Sequence, residues 1–348
     1  MTAGQAARQA QVVAHGAQAI RAGSHSFAAA ARLFTPSVRE GAVMLYAWCR
    51  HCDDVVDGQE LGHGQRSGER GDGPARLAQL REATRRACAG LPGDDPVFAG
   101  LAEVVRRHRI APVYFEHHLD GFAMDVEEHR YATLEDTLAY CWRVAGVVGV
   151  MMAQIMGRSD AATLDRACDL GLAFQLTNIA RDVVEDAAIG RIYLPAEWLA
   201  AEGLPADARL AEPRHREALA RVAMRLVQAA EPYYDSALGG LPALPLRSAW
   251  SIATARSVYR AIGRKVQARG PAAWDTRART NRAEKLGWVA AGGAGPGFAR
   301  PPAADAGPAF VPATGLTRPG LTGARAGRVR RLACACSCGC AALPAAAA

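Results

Sequence analysis

"LGLAFQLTNIARDVVEDAAIGRIYLP", residues 170–195, carries a polar strip along a helix that is otherwise apolar. Gln175, Asn178, Asp182 and Asp186 stand at offsets 0, 3, 7 and 11, one face of an α-helix held for three turns. Glu185 flanks the strip, while Leu172, Leu176, Ile179 and Val183 supply the apolar side. A solvated helix face mixes lysine with glutamate, whereas this strip is made of short acids and amides. Carboxylates four residues apart repel one another, more so when desolvated. Read alone, the stretch is either an ordinary solvated helix face or a buried one with something cationic beside it.

A second stretch repeats the pattern. In "REGAVMLYAWCRHCDDVVDG", residues 39–58, Tyr46, Arg50, Asp53 and Asp57 take the offsets 0, 4, 7 and 11, with Asp54 on the flank. Two helices with matched acidic ends predict a cleft with a carboxylate patch on each wall. Desolvated carboxylates must bind cations or take up protons. A ligand set of oxygen atoms favours hard Mg²⁺ or Mn²⁺, which bind one or two carboxylates plus water and substrate phosphates. That chemistry suits a diphosphate. Arg50 and Arg181 sit beside the two clusters, either as clamps on diphosphate oxygens or as salt-bridge partners of the neighbouring aspartates.

Outward from these stretches the chain reads as helix. Helical candidates are 37–57, 76–90, 97–109, 112–128, 134–156, 161–187, 215–237 and 246–268, and no run alternates β-branched residues. The six glycines of 58–74 mark a loop, as does "LPGDDP" at 91–96. Gly190 ends the acidic helix and Pro195 starts the next element. The expected domains are an N-terminal segment at 1–19, an all-α domain over 20–286, and a disordered Gly/Ala/Pro/Arg-rich tail at 287–348. The tail resembles GC-rich DNA read out of frame or past a stop, in keeping with 39 arginines against two lysines in the chain.

Composition excludes several classes. The net charge is +7, but +5 of it lies from Gly287 onward, so the body offers no basic footprint for nucleic acid. The longest apolar run, Val144–Met156, has 13 residues, against roughly 20 for a membrane span. With no signal-like N-terminus, a reduced cytoplasmic setting is expected for the five body cysteines. Cys49 and Cys52 form a Cys-x-x-Cys without the two further ligands zinc needs, and are expected to pack as small apolar groups. "HLDGFAMDVEEH", 118–129, has irregularly spaced acids and reads as a solvated face or loop. Gly146 and Gly149 weaken a helix, which makes sense where another helix or a long substrate chain packs close.

Together "GSHSFAAAARLF", "LYAWCRHCDDVVD", "YCWRVAGVVGVMMAQIMG", the opening stretch and "LPLRSAWSIATARSVYRAIGRKV" resemble bacterial members of the squalene/phytoene synthase family, from about Gly23 to Lys285. The resemblance implies an all-α isoprenoid (terpenoid) synthase fold, a single helical domain around a central cavity. It implies head-to-head condensation of two geranylgeranyl diphosphates, via prephytoene diphosphate, to 15-cis-phytoene. A farnesyl diphosphate-using squalene or dehydrosqualene synthase is the alternative enzyme, and a non-catalytic helical interaction protein the alternative of another class. By the match Asp53, Asp54, Asp57, Asn178, Asp182 and Asp186 hold the metal. Tyr46, Arg50, Gln175, Asn178 and Arg181 line the diphosphate end, Ser24, Ser26 and Phe27 form an entry motif, and Tyr140 and Tyr259 lie near substrate. The resemblance further implies no nicotinamide cofactor, stimulation by ATP, peripheral membrane contact for product release, and other carotenoid-pathway enzymes as partners.

Overall fold

The computed structural model describes residues 12–18, 20, 31–57, 72–281, 283–284 and 287–289. Ser24, Ser26, Phe27, the loop at 58–71 and the tail from 290 lie outside the described residues. No strand occurs among the residues described. The longer helices are α1 (Pro36–Asp57), α2 (Gly73–Cys88), α3 (Pro96–His108) and α4 (Pro112–Val126). Then come α5 (Leu134–Cys141), a π-helical turn (Trp142–Gly146), α6 (Val147–Ile155) and α7 (Ala161–Ala188). The short α8 (Ala196–Ala201), α9 (Arg216–Leu238) and α10 (Leu246–Arg269) complete the series.

The helix starts obey local chemistry. Proline occupies the first turn of α2, α3 and α4, where its missing N–H costs nothing. The first of these corrects the sequence expectation, because residues 73–74 belong to α2 and not to a loop. Asp95 caps α3 by accepting from Val97 N at 2.8 Å, and Asp160 caps α7 by accepting from Thr163 N at 2.9 Å. Thr133 and Asp136 form a capping box at α5.

The two helices with polar strips belong to different packing groups. α1 packs on α2, α3, α4 and α6, whereas α7 packs on α5, α6, α9 and α10. In the first group Trp48 is fully buried, donates its indole N–H to Thr84 Oγ1 at 3.2 Å and meets Phe115 edge-on at 5.2 Å. In the second, Leu172, Leu176, Ile179 and Val183 are buried as the spacing predicts.

Gly146, Gly149 and Gly171 make the seam between the π-turn, α6 and α7. A Cβ on Gly149 would stand 2.2 Å from the Ala167 carbonyl oxygen, and one on Gly171 would stand 2.3 Å from that of Ala145. Close helix packing therefore accounts for these glycines. The segment expected as one helix over 134–156 is interrupted by the π-turn, which no spacing rule foresaw. From Leu134 to Ile155 it is 22 residues, long and apolar enough to cross a membrane, with 61% of its most apolar window buried inside the fold.

One face of "HLDGFAMDVEEH" corrects another expectation. His118 is buried, and its Nδ1–H donates to the Arg143 carbonyl at 3.1 Å. Its ring lies 5.2 Å from Trp48 and 5.1 Å from Phe122. Burial pushes this imidazole down to about 4.

Candidate active site

Each acidic cluster is held by arginine. On α1, Arg50 Nη1 donates to Asp53 Oδ2 and Nη2 to Asp54 Oδ1, both at 2.8 Å. Asp57 closes α1 as the spacing predicts; its side chain lies outside the described residues. On α7, Arg181 holds Asp182 with two hydrogen bonds, Nε to Oδ1 at 2.8 Å and Nη2 to Oδ2. Arg277, which the sequence reading missed, grips the same carboxylate with Nε to Oδ1 at 3.0 Å and Nη2 to Oδ2 at 2.8 Å. Its Nε also lies 3.8 Å from Glu185. Of the two sequence readings for Arg50 and Arg181, the structure shows the salt bridge.

The electrostatics of the α7 cluster show what is left unbalanced. Burial opposes ionisation of Asp182, but the hydrogen bonds and charge of Arg181, then of Arg277, outweigh it and hold the carboxyl below its usual range. Asp186 gains less from its cations. Burial first, then the charge of Asp182, push its carboxyl up to about 8 against the opposing charge of Arg191. Glu185 is raised by burial and then by Asp182. Three carboxyls within two turns of one helix thus resist full ionisation beside the arginines, and a hard dication would relieve that repulsion.

The donor set, oxygen from carboxylates and the Asn178 amide, fits Mg²⁺ or Mn²⁺. Among the described residues no three acidic, histidine or cysteine side chains converge as a ready-made cage. An ion here must complete its shell with water or phosphate, the usual habit of Mg²⁺.

Other members of the strips converge. Asn178 Nδ2 donates to Gln175 Oε1 at 3.4 Å. Tyr259 stacks on Phe174 with ring centroids 4.2 Å apart, and acts electrostatically on both Tyr46 and Arg181. Tyr259 stands on α10, which packs on α7, whereas α1 and α7 do not pack broadly on one another. Burial, offset by Arg50 and reinforced by Tyr259, pushes the Tyr46 phenol up to about 12.

Tyr140 belongs to a separate cluster. Its hydroxyl donates to Asp125 Oδ2 at 3.1 Å, and the Tyr193 hydroxyl donates to Asp125 Oδ1 at 2.9 Å. The two rings stack at 4.7 Å, with Tyr131 beside them. Asp125, half-buried, is thus tied to two tyrosines, where its irregular spacing had suggested a solvated face or loop. Cys49 and Cys52 are free thiols, the latter fully buried, as small apolar groups would be. A surface depression lined by residues including Leu204, Arg209 and Arg214 contains none of the site residues; Asp207 and Glu212 already engage its arginines.

Comparison with known proteins agrees with this architecture. The squalene/phytoene synthase family model matches residues 20–284. A 15-cis-phytoene synthase from Pantoea ananas is 58% identical over 272 residues, covering 78% of this chain and 88% of that protein. A phytoene synthase from Pseudescherichia vulneris is 55% identical over 283 residues, covering 81% of this chain and 91% of its own. Among solved structures, a dehydrosqualene synthase with a bound ligand superposes with a TM-score of 0.73 at 26% identity, covering 82% of this chain and 96% of that one. The all-α body is the isoprenoid synthase fold, and the chain belongs to the squalene/phytoene synthase family.

Proposed function

We propose that the chain is a prenyltransferase that joins two geranylgeranyl diphosphates head to head, via prephytoene diphosphate, to 15-cis-phytoene. The observation that carries this reading is the pair of acid clusters on two helices, each cluster held by arginine. More than half of the aligned residues are identical to those of curated phytoene synthases, which favours the geranylgeranyl substrate over farnesyl diphosphate.

Asp53, Asp54, Asp57, Asn178, Asp182 and Asp186 would hold Mg²⁺ or Mn²⁺. When bound, the metal neutralises diphosphate charge and assists its departure. Arg50, Arg181 and Arg277 then exchange carboxylate partners for phosphate oxygens, which a guanidinium fork matches equally well. Tyr46 and the Phe174–Tyr259 stack offer aromatic faces to the allylic cation left behind. The second substrate's double bond attacks that cation, and loss of a proton from the resulting cation closes the cyclopropane of prephytoene diphosphate. Departure of the second diphosphate then lets the ring rearrange and open, and loss of a second proton forms the product's central double bond. The apolar walls of α1 and α7 exclude the water that would quench either cation. On this reading the enzyme needs no nicotinamide, responds to ATP, and works in the cytoplasm against a membrane surface that takes up a forty-carbon hydrocarbon.

The test is the purified full chain with geranylgeranyl diphosphate and Mg²⁺ or Mn²⁺, the hydrocarbon being identified by mass spectrometry. Phytoene formation supports the reading, whereas turnover of farnesyl diphosphate alone assigns the alternative. Asp182→Ala or Asp53→Ala should abolish turnover while leaving the helical circular dichroism intact. Normal activity in either variant would refute the metal assignment.

A further inference from the structure

The Asp125 carboxylate is the least expected polar group in the fold. It lies one residue before the end of α4, half-buried, and takes one phenolic hydrogen bond on each oxygen. Its partners come from three directions: α4 supplies the carboxylate, α5 supplies Tyr140, and the segment after α7 supplies Tyr193. Tyr140 and Tyr193 are 4% and 9% exposed, so their hydroxyls depend on protein partners.

The tyrosine pair adjoins the acid cluster. Tyr193 lies seven residues beyond Asp186, and Asp186 acts on its phenol electrostatically, as does Arg191. Arg191 acts on Asp186 as well. The Tyr193 backbone is fixed independently of Asp125. Its carbonyl accepts from Thr137 Oγ1 at 3.0 Å, and the chain beyond it pairs with residues 131–132 through Ala196 N to Tyr131 O at 2.8 Å and Glu197 N to Ala132 O at 3.1 Å. Asp125 therefore settles where two hydroxyl protons point, and not where the tyrosines are.

We propose that Asp125 is a positioning residue of the active site: by accepting both phenolic protons it fixes the direction of the Tyr140 and Tyr193 oxygen lone pairs and raises their electron density beside the α7 acid cluster, where the cation forms. A phenol that donates to a carboxylate carries more electron density on its oxygen and ring than a free phenol. Fixed dipoles of this kind stabilise developing positive charge without reorganising during the reaction. An asparagine has one acceptor oxygen, so it keeps one phenolic bond and presents an N–H to the other. This inference rests on the proposed prenyl-cation chemistry.

The test uses the full-length enzyme with Mg²⁺ and geranylgeranyl diphosphate. Asp125→Asn is expected to lower kcat by roughly 10- to 100-fold, the range for hydrogen bonds to a charged group, with KM and the melting temperature little changed. Placed on the Tyr140→Phe/Tyr193→Phe background, Asp125→Asn should add almost nothing, because the hydroxyls it orients are gone. Asp125→Glu should recover part of the lost kcat. Wild-type kcat in Asp125→Asn overturns the proposal, as does a full loss that persists on the double-Phe background. A fall in melting temperature that accounts for the lost activity does so too. Should Asp125→Asn fail to fold, Tyr140→Phe/Tyr193→Phe carries the test, and wild-type kcat in that variant overturns the proposal. An active Asp182→Ala variant refutes instead the metal-dependent reading on which the proposal stands.

Discussion

Gly171→Ala tests how rigidly the seam sets the active helix. The new Cβ would stand 2.3 Å from the Ala145 carbonyl oxygen and 2.7 Å from Gly146 Cα. An ordinary contact begins at 3.4 Å, so α7 must move by about 1 Å, and the obstruction is backbone that cannot rotate away. Overpacking of this kind costs about 1–3 kcal/mol. The greater helix propensity of alanine returns about 1 kcal/mol. The net loss, of order 0–2 kcal/mol, lowers the melting temperature by up to roughly 8 °C for a domain of this size. Activity should fall further than stability, because α7 carries Gln175, Asn178, Asp182 and Asp186, and a 1 Å misplacement of reacting groups costs about 100-fold in rate. Gly263→Ala on α10 is the control, since its Cβ meets its nearest neighbours at 3.4–3.6 Å. There the same change should be neutral or stabilising by up to about 1 kcal/mol. Thermal unfolding monitored by circular dichroism, with steady-state kinetics on the folded fraction, reads both quantities. A Gly171→Ala enzyme with wild-type melting and kcat would show that the seam yields, and would refute the argument.

Buried His118 should make stability fall with acid. Its folded value near 4 lies below the unfolded 6.5, so the unfolded state binds the extra proton; stability present above pH 6.5 is progressively lost as pH falls toward 4. That amounts to about 2 kcal/mol between pH 7 and 5, measured as the difference in urea unfolding between wild type and His118→Gln. Equal pH dependence in the two would contradict the burial account. Arg277→Gln should raise KM for the prenyl diphosphate by about 10-fold with a near-constant melting temperature, because its bond to Asp182 is partly exposed and worth little to folding. An unchanged KM would mean that Arg277 only restrains Asp182. Chelation by EDTA should abolish turnover, and added Mg²⁺ or Mn²⁺ should restore it; turnover that survives metal removal would exclude the cation role of the two clusters.

Separation along the chain decides which features the sequence discloses and which it hides. Tyr46, Arg50, Asp53 and Asp57 share a helical face by spacing alone, as do Gln175, Asn178, Asp182 and Asp186, so both strips are legible in the sequence. Prolines in first turns make most helix starts legible too. Arg277 is not, because it reaches Asp182 across 95 residues from a non-helical segment, where no periodicity marks a face. Asp125 is hidden for the same reason, with partners 15 and 68 residues away. The acids around it on α4 obey no single face, so the pattern points to solvent. The exchange of ions for arginines is also beyond the sequence, which shows both kinds of partner without ranking them.

The π-turn at Trp142–Gly146 reconciles two faces that a regular helix would set at odds. On its N-terminal side Tyr140 must look toward Asp125; on its C-terminal side Gly146 and Gly149 must lie flat against α7. Each residue added to a helix rotates the succeeding side chains by about 100°, and the wider i→i+5 turn absorbs that rotation locally. The segment acts as a splice between two independently dictated orientations. Its length contributes to the rotation between the tyrosine pair and the glycine seam. Evolution can thus retune the chemistry on one side while leaving the packing on the other untouched.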